Sequence, residues 1–213
     1  MKGLTGKVGN MVIGSVLSGA LALGVAGCGG AGFTPSYVPE DVGARINRDV
    51  REKDALFLIE GMWTPETGTA MRDLQAKLAE KYNLTGAAVS GDGNCLIPYI
   101  IEAKKAGRKV YLGGFSMGDD AAEDVARKVS NQGYEIDSLI LMDGTTAKMI
   151  APKVRRVLHV RGTVPYAFRG EAYTQKNLEN PNTELTVKSH PAGHLSMPAA
   201  SENDVDEEIG RGR

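Results

Sequence analysis

From Asp54 onward the chain alternates short, continuously apolar runs with longer amphipathic segments, and this alternation limits the fold more than any other feature. Ala55-Leu56-Phe57-Leu58-Ile59 has the length and composition of a strand buried on both faces. Gly68 to Tyr82 then sets Met71, Leu74, Leu78 and Tyr82 at helical spacing, with charges between them. Thr85 to Ser90 reads as a second strand, and Leu96 to Ala106 as a helix closed by Gly107. Lys109 to Phe115 is a strand, followed by a helix over Asp119 to Gln132 that aligns Ala122, Val125, Ala126 and Val129. Ser138 to Met142, Val154 to Val160 and Glu184 to Lys188 complete the strands, and residues 201–209 read as a short last helix. Strands this apolar, separated by helices, form a mostly parallel, doubly wound α/β sheet covered on both faces. Such sheets bind ligands beyond the carboxyl ends of their strands. Function is therefore sought in the residues that follow each strand.

The segment before this pattern is built differently. Lys2 and Lys7 precede a stretch from Met11 to Gly27 that carries no charge and is rich in Gly, Ala, Leu and Val. That order is the one found in secretory signal peptides, and the run is short and glycine-rich for a permanent membrane helix. Val25-Ala26-Gly27-Cys28 resembles the lipobox of bacterial lipoproteins. The resemblance implies a signal peptide over 1–27 and diacylglycerol on Cys28, hence a lipid anchor in a bacterial envelope. With Gly29 after the cysteine, the outer membrane is favoured. Gly29 to Pro39 reads as a flexible tether, within a leading segment 28–53 ahead of a domain at 54–209 and a tail at 210–213. Across the 213 residues, 25 basic side chains balance 26 acidic ones, which gives no electrostatic reason to expect nucleic acid as a partner. Cys28 and Cys95 are the only cysteines, too few for a disulfide framework or a thiolate zinc site. Cys95 reads as a buried structural thiol.

The most informative residue after a strand is Ser116, in Gly114-Phe115-Ser116-Met117-Gly118. It falls between a strand and a helix, where a nucleophile elbow belongs, and small neighbours let that turn close. A serine hydroxyl needs a base to take its proton, and histidine has the right pKa near neutrality. Of His159, His190 and His194, the first sits inside an apolar strand and reads as structural. His194 lies in the glycine-bearing loop Pro191-Ala192-Gly193-His194-Leu195 beyond a strand end, with His190 as the fallback.

Strand–GFSMG–helix, then an acid after a strand, then GHLSM, in the order Ser, Asp, His, resembles a compact α/β-hydrolase of the lipase and esterase kind. The likeness covers roughly Asp54 to Pro198 and implies a Ser116–His194–Asp143 triad. Many relatives carry the acid one strand later, but Arg161-Gly162-Thr163-Val164-Pro165 has no carboxylate; Glu171 is the runner-up to Asp143. The oxyanion hole implied by the resemblance draws on the Met117 N–H and on Gly61 or Met62, with Trp63 as a pocket or packing residue. Asp119 and Asp120 read as complements to the helix dipole. The interval from Asp143 to about Val154 leaves no room for a cap domain. Only 162–183, with Tyr166, Phe168 and Tyr173, is long enough for a flap.

The reading is a lipid-anchored serine hydrolase for carboxylic esters, with a small-molecule, lipid or polymer substrate, the membrane as its other partner, and neither metal nor organic cofactor implied. Thioesterase, amidase or acyltransferase chemistry on the same fold is the near alternative. A non-catalytic envelope binding protein is the distant one.

Overall fold

A computed structural model describes residues 35–61, 65–165 and 169–213. The signal peptide, Cys28, the tether as far as Thr34, Met62, Trp63, Tyr166 and Phe168 lie outside the described residues.

The chain opens with helix α1 (Glu40–Asp49) and then builds β1 (Ala55–Glu60), α2 (Pro65–Tyr82), β2 (Thr85–Ser90) and α3 (Ile97–Lys105). It continues through β3 (Val110–Phe115), α4 (Met117–Asn131), β4 (Ser138–Met142), β5 (Arg156–Gly162) and β6 (Glu184–His190) to α5 (Met197–Ala200) and α6 (Glu202–Arg211). The six strands form one sheet in the order β2-β1-β3-β4-β5-β6, and every neighbouring pair is parallel.

Alternation along the strands divides the core in two. Phe57, Ile59, Val110, Leu112, Leu139 and Leu141 point to the face covered by α1, α3 and α4, which supply Ile46, Ile100 and Val125. Leu56, Leu58, Tyr111, Ile140, Met142 and Leu158 point to the other, against Met71, Leu74 and Leu78 of α2 and Val205 and Ile209 of α6. Each fully buried side chain of this size contributes about 1.5–3 kcal/mol. A buried polar knot joins α6 to the sheet: Arg156 Nε and Ser138 Oγ both donate to Glu208 Oε1, at 2.5 and 2.8 Å.

After β1 the chain steps outward to β2, then crosses back over β1 to reach β3 and proceeds the other way. The reversal opens a crevice between the carboxyl ends of β1 and β3, the place where such sheets hold ligands. Gly61 and Ser116 are the first residues past those two ends.

Several boundaries differ from the sequence expectation. Residues 40–49, read as part of a leading segment, form α1, and Ile46 and the adjoining Val50 are completely buried. The domain therefore starts well before Asp54. The final stretch of the expected tether is fastened to it, because Ser36 N–H and Oγ both donate to Asp92 Oδ1, at 3.0 and 2.8 Å. Val154 was counted in a strand on its apolarity. It forms only an isolated bridge to Ile136, and the ladder begins at Arg156. Helix α6 continues to Arg211, absorbing part of the expected tail.

Candidate active site

Ser116 ends β3 and starts α4 with φ 57° and ψ −125°, a conformation L-residues seldom adopt. What holds it there is close backbone contact. A Cβ on Gly114 would lie 2.1 Å from Gly118 O, and one on Gly118 would lie 2.2 Å from Ile59 O. The two glycines of the motif therefore let α4 press against the ends of β3 and β1. Ser116 N–H donates to Met142 O at 3.0 Å, tying the turn to β4 as well.

His194 Nε2 lies 2.9 Å from Ser116 Oγ, and its Nδ1 lies 2.8 Å from Asp143 Oδ2. The imidazole stacks on Phe115, with ring centroids 4.8 Å apart and planes at 29°. Packing thus fixes the ring plane and hydrogen bonds fix its rotation. The carboxylate that reaches His194 belongs to Asp143, while Glu171 is exposed. Asp143, directly after β4, has φ 54° and is completely buried. Its Oδ1 accepts from Gly162 N–H at 3.1 Å and from Arg169 Nε at 2.7 Å. Burial alone would push the carboxyl up; the bonds from His194, Arg169 and Gly162 outweigh it and hold the pKa at about 2. Asp143 is therefore a carboxylate throughout the neutral range.

The other two histidines lie elsewhere. His159 is 2% exposed, accepts the Tyr173 N–H on Nδ1, and is driven down to about 4 by burial and then by Arg161. It is a neutral core residue. His190 pairs with Asp204 of α6.

Gly61 lies hard against the elbow: a Cβ there would be 2.6 Å from Phe115 O, 2.8 Å from Ser116 Cβ and 3.3 Å from Met117 N. Among the described residues neither the Met117 nor the Gly61 N–H has a backbone acceptor. Met117 opens α4, so its amide is one of the donors that the helix leaves without an intrahelical partner, at the positive end of the helix dipole. Met62, the other oxyanion candidate, lies outside the described residues.

The paired aspartates differ from the sequence reading. Both are buried and hold the loop after β4. Asp119 Oδ1 accepts the Met142 N–H at 2.9 Å, and Asp120 accepts from Thr145 at 2.6 Å and from Thr146. Burial, opposed by the Met142 bond and reinforced by Glu123, Asp120 and Asp143, pushes the Asp119 pKa well above the ordinary carboxylate range. Arg169 is the site residue that sequence reasoning missed. Nothing in the spacing links it to Asp143, 26 positions earlier. The sequence held only a negative signal: the end of β5 and the loop after it have no carboxylate from Arg161 to Pro165, and a cation follows at Arg169. Cys95, expected to be buried, is half-buried, and burial pushes its thiol up.

No family model matches the chain, and the search of curated proteins found no match. Solved structures do resemble it. EstE7, a hormone-sensitive lipase homologue from a metagenome library, superposes with a TM-score of 0.54 at 13% identity, over 74% of this chain and 78% of that one. A hormone-sensitive lipase from a metagenome library gives 0.50 at 14% identity, over 75% and 78%. A dienelactone hydrolase from Anabaena variabilis ATCC 29413 gives 0.46 at 13% identity, over 75% and 87%. A single parallel six-stranded sheet, flanked by helices and superposing on EstE7 and the metagenomic hormone-sensitive lipase, identifies the architecture: the chain has an α/β-hydrolase fold.

Proposed function

We propose that the protein is a serine hydrolase of carboxylic esters, anchored by lipid on Cys28 in a bacterial envelope. The observation that carries the catalytic part is the unbroken chain Ser116–His194–Asp143, at 2.9 and 2.8 Å, on the strained turn beyond β3. The anchor rests on the charge order and the Val25-Ala26-Gly27-Cys28 box.

In this reading Ser116 Oγ attacks the ester carbonyl as His194 Nε2 takes its proton. The carbonyl oxygen gains the negative charge, and the Met117 and Gly61 amides donate to it. Asp143 keeps Nδ1 protonated and stabilises the imidazolium. Collapse of the tetrahedral intermediate breaks the bond to the alcohol oxygen, which leaves with the proton from His194. A water then gives its proton to His194, attacks the acyl-serine and releases the acid with Ser116 restored. Arg169 positions Asp143 and touches no reacting atom.

The test compares wild type with Ser116→Ala on p-nitrophenyl esters of several chain lengths, alongside labelling by a fluorophosphonate. Turnover and labelling that both vanish in the variant support the proposal. A folded wild type that neither turns over ester nor labels refutes it and favours a binding protein on this fold.

A further inference from the structure

The place where the chain enters the domain bears on what reaches Ser116. Ser36 is bonded to Asp92, two residues past the end of β2, and its Oγ accepts the Cys95 N–H at 3.2 Å. The entry point therefore sits at the carboxyl ends of the strands, the same end as Ser116, Asp143 and His194. Between Cys28 and Pro35 there are seven residue steps, at most about 25 Å of chain whatever path they take. From β2 to β5 is four strand spacings, roughly 19 Å. The chain joining Cys28 to the catalytic end of the sheet is thus no longer than roughly one domain width.

That end also carries apolar side chains turned to solvent. Tyr37 is 72% exposed beside the end of β2; Val164, two residues past β5, is 49% exposed; Leu195, next to His194, is 63% exposed. They flank the nucleophile, which sits past β3, on both sides of the crevice. Of the five large apolar residues exposed among the described ones, these three share the catalytic end. A lone exposed leucine needs no explanation, but three at the end that receives a short lipid tether have an obvious cover.

We infer that the protein works face-down on the bilayer holding its own anchor, with Tyr37, Val164 and Leu195 at the headgroup–acyl boundary, and that its substrate is a carboxylic ester of a lipid in that leaflet. The inference rests on the proposed ester hydrolysis and lipidation. It adds the substrate class and the orientation.

The experiment uses the full chain, matured in a bacterial host and reconstituted in phosphatidylethanolamine–phosphatidylglycerol vesicles that also contain a fluorogenic acyl-ester phospholipid. A flexible insert of about 30 residues between Gly32 and Phe33 dilutes the domain over its own membrane, roughly tenfold by the −3/2 power of tether length. The expected result is a drop of that order in hydrolysis of the vesicle ester, with unchanged turnover of soluble p-nitrophenyl acetate. Tyr37→Glu with Val164→Glu, on the native tether, also slows the vesicle reaction at least severalfold. Equal vesicle rates for native and lengthened tethers overturn the inference while leaving the hydrolase intact. So does faster cleavage of a polymeric ester than of the vesicle lipid, or mass spectrometry showing Cys28 without lipid. Loss of soluble-ester turnover in the wild type strikes the hydrolase reading itself.

Discussion

Glu123 on α4 is 4% exposed, and among the described residues neither of its carboxyl oxygens has a well-formed hydrogen bond, the Lys148 backbone N–H being only a weak neighbour. Burial pushes its pKa to about 8, against the pull of Lys148 and with the push of Asp120 and Asp124. In the unfolded chain the same group titrates at its ordinary value of 4.5. Between those two values the folded state keeps a proton that the unfolded state has released, so stability falls as pH rises through this window and levels off above it. At about 1.4 kcal/mol per unit, the span sets a ceiling of roughly 5 kcal/mol on the loss. Glu123→Gln keeps the shape and the neutral polarity of the protonated acid and cannot ionise. The variant should match wild type in thermal and urea unfolding near pH 5. By pH 9 it should be more stable by a few kcal/mol, about 5–10 °C in Tm for a domain of this size. A difference between the two proteins that stays constant from pH 5 to 9 would refute the reasoning, and so would a glutamine variant that loses ground at high pH.

Two other perturbations follow from the site geometry. Gly61→Ala drives a Cβ into Phe115 O and Ser116 Cβ, at 2.6 and 2.8 Å, so kcat on a soluble ester should fall by at least about tenfold while circular dichroism stays native. Wild-type kcat in that variant would mean that the loop after β1 does not abut the reacting serine. Arg169→Met leaves the Asp143 carboxylate buried and short of its cation, at a cost of roughly 3 kcal/mol near pH 7. Because Asp143 is depressed to about 2 in the fold, its stabilising contribution is present above the unfolded carboxylate value and is lost as pH falls through that window. The deficit of the methionine variant should therefore narrow below pH 4 in urea titrations, and a deficit independent of pH would count against the pairing.

How much of this was legible in the sequence depends on the range of the interaction involved. Strands such as Ala55–Glu60 and Ser138–Met142 are apolar along their length because helices cover both faces, so local composition alone reveals them. Ser116 was legible because a sharp strand-to-helix turn needs glycines at fixed offsets, and Gly114 and Gly118 supply them. Helix α1 was not. Its sequence, EDVGARINRD, is mostly polar and follows a proline, and only Gly43 and Ile46 within it are buried. Its place depends on a groove that β2 and α3 create later in the chain. Asp119 and Asp120 read only as complements to the helix dipole because their partners, the Met142 amide and the hydroxyls of Thr145 and Thr146, lie more than twenty residues away. Arg169 was hidden for the same reason.

The all-parallel sheet also has a consequence for how the molecule comes into being. No strand pair can close as a hairpin: Ala55 meets Val110 only after β2 and α3 have been made, and Ser116 is 78 residues from His194. Contacts this distant in sequence slow folding and leave strand edges open in the meantime. The hydrogen bond between Ser116 and His194 is among the last the chain can form, because it needs β6 docked at the far edge of the sheet. In the proposed hydrolase, recovery of ester turnover during refolding is therefore a clock for completion of the whole domain, and a partly folded chain carries Ser116 without His194.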